Sequence, residues 1–204
     1  MKFYFISDNS FFIDGLKKAL TSHLFDESSV YINVNHDHIK IHPQKDDVVV
    51  IAVENLNARR KILQTPEIAL SKLAIMGTTK TRIMLRGIFL PCFLSGKMTK
   101  DDLISALIFM KKNKFKLHQL STREAEVFFY LGAGFSHDEV AEIMGMQSKY
   151  IYALRRKVNI SLGLLECNCA TGILLCRDIA EMMTYSKTRF IPNQFTFGTN
   201  IAFF

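Results

Sequence analysis

The sequence predicts an α/β domain of the doubly wound type, followed by an all-α domain. In residues 1–110, short apolar runs typical of strands alternate with segments of helical periodicity, as in a parallel sheet with crossover helices. In residues 120–184, polar helix starts and glycine stops recur, and no strand pattern separates them. We expect residues 111–119 to be a basic linker and residues 185–204 to be an aromatic C-terminal tail.

Composition limits the class of protein. The chain of 204 residues is 49% hydrophobic and 11% aromatic, which is enough for packed cores and argues against wholesale disorder. Its net charge of +7 permits a nucleic-acid partner but does not demand one. The short apolar run before Asp8 does not predict a signal peptide, and no long uncharged apolar run predicts a membrane span. We therefore expect a reduced, cytoplasmic protein.

The cysteines do not have the spacing of a metal site. A zinc site needs a second ligand pair, and the histidines nearest to Cys167 and Cys169 lie well upstream. We interpret the four cysteines as buried or half-buried thiols, with metal binding as the lesser alternative. No nucleophile–base constellation is present, so we predict neither a cofactor nor an enzyme; His36 and His38 belong to a polar loop.

Five segments of the N-terminal half are predicted as strands. Val48–Val53 is a continuous apolar run, typical of a central parallel strand that is buried on both faces. The other four are Phe3–Ile6, Ser28–Val34, Lys72–Met76 and Ile88–Leu94, the last interrupted by Pro91.

Three helices are predicted between and after these strands. Apolar residues recur at helical spacing in Phe11–His23, whereas Asn57–Gln64 is a weaker, basic candidate. Thr99 caps a third helix that runs to about Met110.

The segment Ile6–Leu16, which reads ISDNSFFIDGL, resembles the first strand, acidic pair and first helix of a response-regulator receiver domain. The resemblance implies that Ser7 and Asp8 stand at the acidic pair and that Ala52 stands at the phosphate-accepting aspartate. It also implies that the switch hydroxyl would fall near Gly77 or Thr78, and the lysine at Gly96 or Lys97. The fourth helix of the family would have room for only about two turns before Ile88.

The departures from the family pattern bear on chemistry. Phosphoryl transfer to a receiver needs a carboxylate nucleophile and a Mg²⁺ ion with several oxygen ligands. Ala52 has no nucleophilic atom, and Glu54 lies beyond the strand end. Asp8 alone supplies few of the oxygen ligands that Mg²⁺ needs. We therefore predict a receiver-shaped scaffold that is not phosphorylated and that serves dimerisation or partner contact.

The C-terminal half contains the signature of a helix-turn-helix. Ser121–Glu124 and Ser136–Glu139 are capping boxes, in which a serine hydroxyl and a glutamate three residues later satisfy free amides at a helix start. Gly132–Gly134 ends the first helix, Gly145 allows a sharp turn, and Ser148 is predicted to cap a basic third helix. The predicted inward residues are Val127, Phe128, Leu131, Val140, Ala141, Ile143, Met144, Ile151, Leu154, Val158 and Leu162.

Motif identity sharpens this prediction. Leu120–Glu124, Gly134–Ala141 and Ser148–Leu162 resemble the opening, the start of the second helix and the recognition helix of a LuxR/NarL-type DNA-binding domain. The resemblance covers about 60 residues without gaps. It implies that the third helix reads DNA and that a fourth helix, Thr171–Met183, dimerises the DNA-binding domains; packing against the first helix is the alternative role.

Helical spacing selects the DNA-facing residues. Positions i, i+3, i+4 and i+7 share one side of a helix, which from Lys149 gives Lys149, Tyr152, Ala153 and Arg156. We expect Tyr152, Ala153 and Arg156 to face base edges, with Arg156 pairing with guanine through two hydrogen bonds. The remaining candidates, placed for phosphates, are Lys149, Tyr150 and Lys157. The alternative is that Arg155, Arg156 and Lys157 form a solvated face.

Tyr152 departs from the family, which often has lysine or a small polar residue at this position. Its ring either contacts a thymine methyl group or weakens direct readout. The basic segment Lys111–Lys116 is interpreted as linker, with proximity to DNA phosphates as a further role. The phenylalanine-rich tail is expected to dock on its own domain or on a partner.

These observations predict a transcription regulator that binds double-stranded DNA, acts as a homodimer or as a heterodimer with another LuxR-type regulator, and does not depend on phosphorylation. The layout resembles auxiliary regulators of enterobacterial capsule or fimbriae. The competing hypothesis is a protein-interaction antagonist that sequesters another regulator and binds DNA weakly.

Overall fold

A parallel sheet forms the centre of the N-terminal half in the computed structural model, which describes residues 1–20, 28–36, 41–77, 89–162, 164 and 170–188. The strands in chain order are β1 (Phe3–Ser7), β2 (Ser29–Asn33), β3 (Val48–Ala52), β4 (Lys72–Gly77), β5 (Phe89–Leu90), β6 (Cys92–Ser95) and β7 (Lys116–Leu117). Five of them form one parallel sheet in the order β2-β1-β3-β4-β6. The predicted central strand is therefore in the middle of the sheet.

Eight helices accompany these strands in the described part of the chain. They are α1 (Ser10–Leu20), α2 (Leu56–Leu63), α3 (Pro66–Leu70), α4 (Lys100–Lys112), α5 (Thr122–Gly132), α6 (His137–Ile143), α7 (Ser148–Ser161) and α8 (Ala170–Thr188). The first four belong to the sheet and the last four follow one another without a strand, so the predicted combination of α/β and all-α folds is confirmed.

Helices cover both faces of the sheet. On one face, residues such as Phe5 and Val50 pack with the buried sides of α1 and α4. On the other face, residues such as Ile6 and Ile51 pack with α2 and α3. This is the doubly wound arrangement, and it explains why β3 is apolar at successive positions rather than at alternate ones.

The proline-interrupted strand predicted at Ile88–Leu94 is two separate strands. A cis Leu90–Pro91 peptide bond lies between β5 and β6. β6 joins the main sheet, whereas β5 pairs in parallel with β7 as a small second sheet. The segment predicted as a linker is thus partly ordered, since α4 extends to Lys112 and β7 holds Lys116 against Phe89.

Two details of the N-terminal half were not predicted. The short helix α3 begins with Pro66 at its first turn, a position where the missing N–H group costs nothing. Lys72 is buried at the start of β4, and its ammonium group donates to the carbonyl oxygens of Met110 (3.0 Å) and Lys111 (3.4 Å) at the end of α4. A cation there complements the negative end of the helix dipole.

The helix starts of the C-terminal half are mostly as predicted. Both capping boxes form, with Ser121 and Glu124 opening α5 and Ser136 and Glu139 opening α6. Ser148 does not cap α7: the cap position belongs to Gln147, and no side chain accepts a hydrogen bond there. The predicted eroded fourth receiver helix, the residues Thr78 to Ile88 and the tail beyond Thr188 lie outside the described residues.

The two halves of the chain share one core. Helix α8 packs against α5 within the helical half and against α2 and α3 of the sheet domain. Apolar residues from β3, α2, α5 and α8 belong to a single buried cluster. The packing of α8 against the first helix of its own domain is therefore confirmed, and its central turns lie between the two halves.

A charged network crosses this contact. Asp178 of α8 is buried, and its carboxylate accepts hydrogen bonds from Nη2 of Arg59 on α2 (3.2 Å) and from Nη2 of its neighbour Arg177 (2.7 Å). One turn later, Glu181 accepts two hydrogen bonds from the Arg60 guanidinium, at 2.6 and 2.8 Å. Opposite charges thus meet at two points between α2 and α8.

Removing the charge of Asp178 is expected to destabilise the protein strongly. Asp178→Asn leaves the buried guanidinium of Arg59 without its counter-ion, and breaking such a pair costs about 3–5 kcal/mol. The free energy of unfolding, measured by urea titration, checks this. The control is Asp14→Asn, which makes the same change in an exposed pair with Lys17 and should cost within about 0.5 kcal/mol. Equal effects of the two substitutions would contradict the prediction.

Candidate functional site

The carboxyl ends of β1 and β3 meet at the position where the strand order reverses, which is where open α/β sheets usually bind ligands. Ser7 and Ala52 are paired in register at this edge. The Ser7 hydroxyl donates a hydrogen bond to the Ala52 carbonyl oxygen (2.7 Å). The Asp8 carboxylate accepts hydrogen bonds from the backbone N–H groups of Glu54 (3.0 Å) and Asn55 (2.8 Å).

These contacts give Asp8 a structural role. Its two backbone donors hold the β3–α2 loop, and the side chain of Asn55 then caps α2. Ala52 offers a methyl group at the end of the strand, and Glu54 is exposed beyond it. Gly77 and Gly96 are joined by a backbone hydrogen bond of 2.8 Å, and Lys97 is exposed. The Ser7 hydroxyl and the Asp8 carboxylate thus hydrogen-bond to backbone groups at the same edge of the sheet.

The thiols that the structure describes are buried. Burial raises the pKa of Cys92 in β6 to about 12. Cys176 lies in α8, and its Sγ donates to Oδ1 of Asn159 (3.1 Å). Cys167 and Cys169 lie outside the described residues. Within the described ranges, no group of three or more His, Cys, Asp or Glu side chains could hold a metal ion.

The helix-turn-helix geometry is formed by α6 and α7. Gly145 adopts a positive φ of 62°, a left-handed conformation that glycine enters without the strain of a Cβ atom. The N–H of Met146 then donates to the Ala141 carbonyl oxygen (2.8 Å), which closes the turn. Gly134, which follows the cap residue Ala133 of α5, also adopts a positive φ, of 102°.

Helix α7 is divided into a buried and an exposed side. Ile151, Leu154 and Val158 are buried against α5 and α6, as the spacing predicted. The predicted DNA-facing residues are all exposed: Lys149, Tyr150, Tyr152, Ala153, Arg156 and Lys157. One inward prediction is wrong, because Ile143 at the end of α6 is exposed. It is the last residue of α6, a helix of seven residues whose buried residues are Val140 and Ala141.

Two shallow concavities lie on the exposed side of α7 and share Ala153. The first is lined by Arg123, Met146, Gln147, Lys149, Tyr150 and Ala153. The second is lined by Tyr152, Ala153, Arg156, Lys157, Ile160 and Ser161. Sequence reasoning missed Arg123, which follows the cap of α5 and shares the first concavity with Lys149. Its position inside a capping box hid it, because that motif predicts a helix start and says nothing about the outward side chain.

Arg155 is not a solvated residue. It is buried, and its Nη1 lies 3.0 Å from Nε2 of His137 on α6. Its guanidinium carbon lies 5.3 Å from the centroid of the Tyr152 ring, within the range of a cation–π contact. Arg155 therefore joins α6 to α7 and supports Tyr152 from the protein side.

Lys157 is exposed, but its ammonium group has a carboxylate partner. Its ammonium group lies 3.0 Å from Oε1 of Glu124, although its side chain is 76% exposed. Burial raises the pKa of Glu124, but hydrogen bonds from Ser121 and Lys157 outweigh this effect and hold the pKa below its usual value. The structure thus places Lys157 beside a carboxylate of α5, a neighbour that helical spacing did not reveal.

The surroundings of His137 favour its neutral form. Burial lowers its pKa below the usual value of 6.5, the positive charge of Arg155 lowers it further, and Asp138 opposes both. A neutral imidazole is also what the contact requires, because Nε2 must keep its lone pair to accept a hydrogen bond from Arg155.

This pKa shift predicts a loss of stability on acidification. The unfolded chain takes up a proton at His137 near its usual pKa, whereas the folded protein resists protonation, so stabilisation present above that pKa is lost as pH falls. Unfolding free energies measured from about pH 7 to about pH 5 should fall less steeply in His137→Gln than in the wild type. His36→Gln, which alters an exposed histidine, should retain the wild-type dependence. The prediction is wrong if His137→Gln does too.

Comparison with known proteins gives only remote likenesses. No family model and no curated protein sequence matches this chain. Solved structures do align over most of it, and RcsB, FixJ and ChrA are among them. RcsB from Salmonella enterica serovar Typhimurium, bound to promoter rprA, is 15% identical with a TM-score of 0.41, covering 87% of this chain and 98% of its own.

The other two structures have lower TM-scores. FixJ from B. japonicum is 16% identical with a TM-score of 0.32, covering 89% and 97% of the two chains. The response regulator ChrA of a heme-sensing two-component system is 15% identical with a TM-score of 0.32, covering 89% and 98%. Likenesses at these values assign neither a family nor a function to this chain.

In the described part of the chain, no helix is long and apolar enough to cross a membrane.

Proposed function

We propose that this chain is a sequence-specific transcription regulator that binds double-stranded DNA through α7 and works without phosphorylation. The observation that carries the proposal is the exposed row Lys149, Tyr152, Ala153 and Arg156, on a helix whose opposite side is buried in a helix-turn-helix core. The major groove, about 12 Å wide, admits a helix about 10–12 Å across. Helix α7 contains four cationic residues and no acidic one.

Within this proposal, some exposed residues of α7 contact bases and others contact phosphates. Arg156 reads guanine, because a guanidinium can donate to O6 and N7 together, and Tyr152 and Ala153 contact neighbouring bases. Lys149 and Tyr150 contact phosphates, as does Arg123 across the first concavity. Lys157 contacts a phosphate at the expense of its contact with Glu124.

Substitutions on α7 should separate base readout from phosphate contact. Arg156→Ala is expected to weaken binding by about 5- to 150-fold and to relax the preference for one guanine. Lys149→Ala should weaken binding to all sequences and reduce the slope of log K against log salt by about one. Fluorescence anisotropy with the full chain and labelled duplexes, over a range of salt concentrations, measures both effects.

The control is Lys18→Ala, which removes an exposed lysine from α1 without touching α7. It should leave the affinity and the salt slope unchanged. If the wild type shows no salt-sensitive binding to any duplex, the DNA-binding function is rejected. If Lys18→Ala weakens binding as much as Lys149→Ala does, a diffuse basic surface explains the affinity better than α7.

Independence from phosphorylation is supported by Ala52 at the end of β3 and by the use of Asp8 to cap the next loop. Incubation with a small phosphodonor and Mg²⁺ should therefore leave the mass of the protein unchanged. A conventional receiver domain treated in parallel confirms that the reagent is active. A single-phosphate adduct at Glu54 or Asp47 would overturn this part of the proposal.

We further propose that the protein acts in the cytoplasm as a homodimer or as a heterodimer with another LuxR-type regulator. A dimer made through the central turns of α8 requires that helix to leave α2 and α3, because Asp178 and its apolar neighbours are buried there. Control of genes for surface structures, implied by the resemblance, is tested by mapping bound DNA across a genome with and without candidate partners.

The alternative function is a protein-interaction antagonist that binds DNA weakly. Two observations favour it: Arg155 is buried, and Lys157 already has a carboxylate partner. Exposed Phe129 and Phe135, each in an edge-to-face contact with Tyr130, offer an apolar surface to a partner. The salt-dependent binding experiment discriminates, since the antagonist needs no salt-sensitive affinity for DNA.

A further inference from the structure

The second concavity of α7 combines apolar side chains with the cations Arg156 and Lys157. Tyr152, Ala153 and Ile160 contribute apolar surface to it, and Arg156 lies in the same concavity. Tyr152 is 50% exposed and Ile160 is 48% exposed. Single exposed apolar residues are common on proteins and need no explanation. Here Tyr152 and Ile160 line one concavity on the outward side of a basic helix, where water would otherwise favour polar residues.

The ring of Tyr152 is supported before any ligand binds. The buried Arg155 guanidinium lies against the ring, 5.3 Å from its centroid. His137 accepts a hydrogen bond from Arg155, and its own ring centroid lies 6.2 Å from that of Tyr152. A side chain held in this way loses little conformational freedom on binding, so its contacts contribute more fully to affinity.

We propose that Tyr152 and Ala153 form an apolar seat for a thymine 5-methyl group, and that Arg156 reads a guanine within about two base pairs of that thymine. The assignment rests on the proposed DNA-binding function and specifies which bases it recognises. In the major groove, the thymine methyl is the apolar group that a base pair presents, and guanine presents the two acceptors that a guanidinium matches.

The spacing along the helix fits adjacent bases. Four residues separate Tyr152 from Arg156, which is about 6 Å along the axis at 1.5 Å per residue. Successive base pairs are about 3.4 Å apart. One turn of α7 therefore spans about two base pairs. Arg155 acts as a positioning residue, because it contacts Tyr152 but lies beneath the outward surface.

The experiment replaces thymine by deoxyuridine, which removes only the methyl group. Duplexes bound by the full chain are first selected from a random pool, and each thymine of the selected site is then changed singly. Burying one methyl group corresponds to roughly a fourfold change in affinity. We expect one thymine, within about two base pairs of an essential guanine, to show a loss of roughly this size. The other thymines should show none.

The same pair of duplexes is then measured with variants. Tyr152→Ala should bring the thymine-to-uracil affinity ratio close to one, whereas Tyr152→Phe should retain the wild-type ratio. Tyr150→Ala is the matched control, because Tyr150 is 49% exposed on the same helix but lines the first concavity. It should reduce overall affinity and leave the ratio unchanged. Arg155→Met should lower the ratio while leaving the salt slope intact.

The outcomes separate this inference from the function on which it rests. Salt-sensitive binding with no deoxyuridine effect at any thymine would overturn the methyl seat and leave the DNA-binding function standing. A ratio that survives Tyr152→Ala but disappears in Tyr150→Ala would also overturn it. Absence of salt-sensitive binding would reject both. Circular dichroism of each variant confirms that it is folded, and Arg155→Met, which should also lower the ratio, preserves the test if Tyr152→Ala is not.

Discussion

The buried carboxylate of Asp178 is the constraint on which the arrangement of the two halves depends. Charges removed from water are tolerated only when they are paired and hydrogen-bonded, and Asp178 meets this condition through Arg59 of α2 and Arg177 of its own helix. Well-packed apolar residues could supply comparable stability. The pair with Arg59 also places Asp178 of α8 directly beside α2.

This constraint has opposite consequences for α7, the helix proposed to bind DNA, and α8, the helix expected to dimerise. The central turns of α8 are buried between α5 and the sheet domain, so the helix expected to dimerise is occupied within the monomer. Helix α7 keeps its outward side exposed, with Tyr152 supported by Arg155 from within. The docked N-terminal half therefore leaves the candidate DNA-reading surface accessible, and any control that it exerts would act through α8 rather than by covering α7.

At the carboxyl edge of the sheet, polar side chains hydrogen-bond to the neighbouring backbone. In open α/β sheets, ligands usually bind in this crevice. Here the Ser7 hydroxyl donates to the Ala52 carbonyl, and the Asp8 carboxylate holds the β3–α2 loop. That loop leads directly into α2, which provides Arg59. The edge thus holds the loop that leads to α2, the helix whose Arg59 contacts α8.

The sequence by itself determined whatever depends on local spacing: the central strand Val48–Ala52, both capping boxes and the outward row of α7. Hydrophobic periodicity and helix capping act over a few residues, so they can be read along the chain. The tertiary structure alone decided the burial of Arg155, the pairing of Lys157 with Glu124 and the contact of α8 with the sheet domain. Those outcomes depend on partners distant in sequence, 119 positions apart for Arg59 and Asp178, and no local pattern records such a distance.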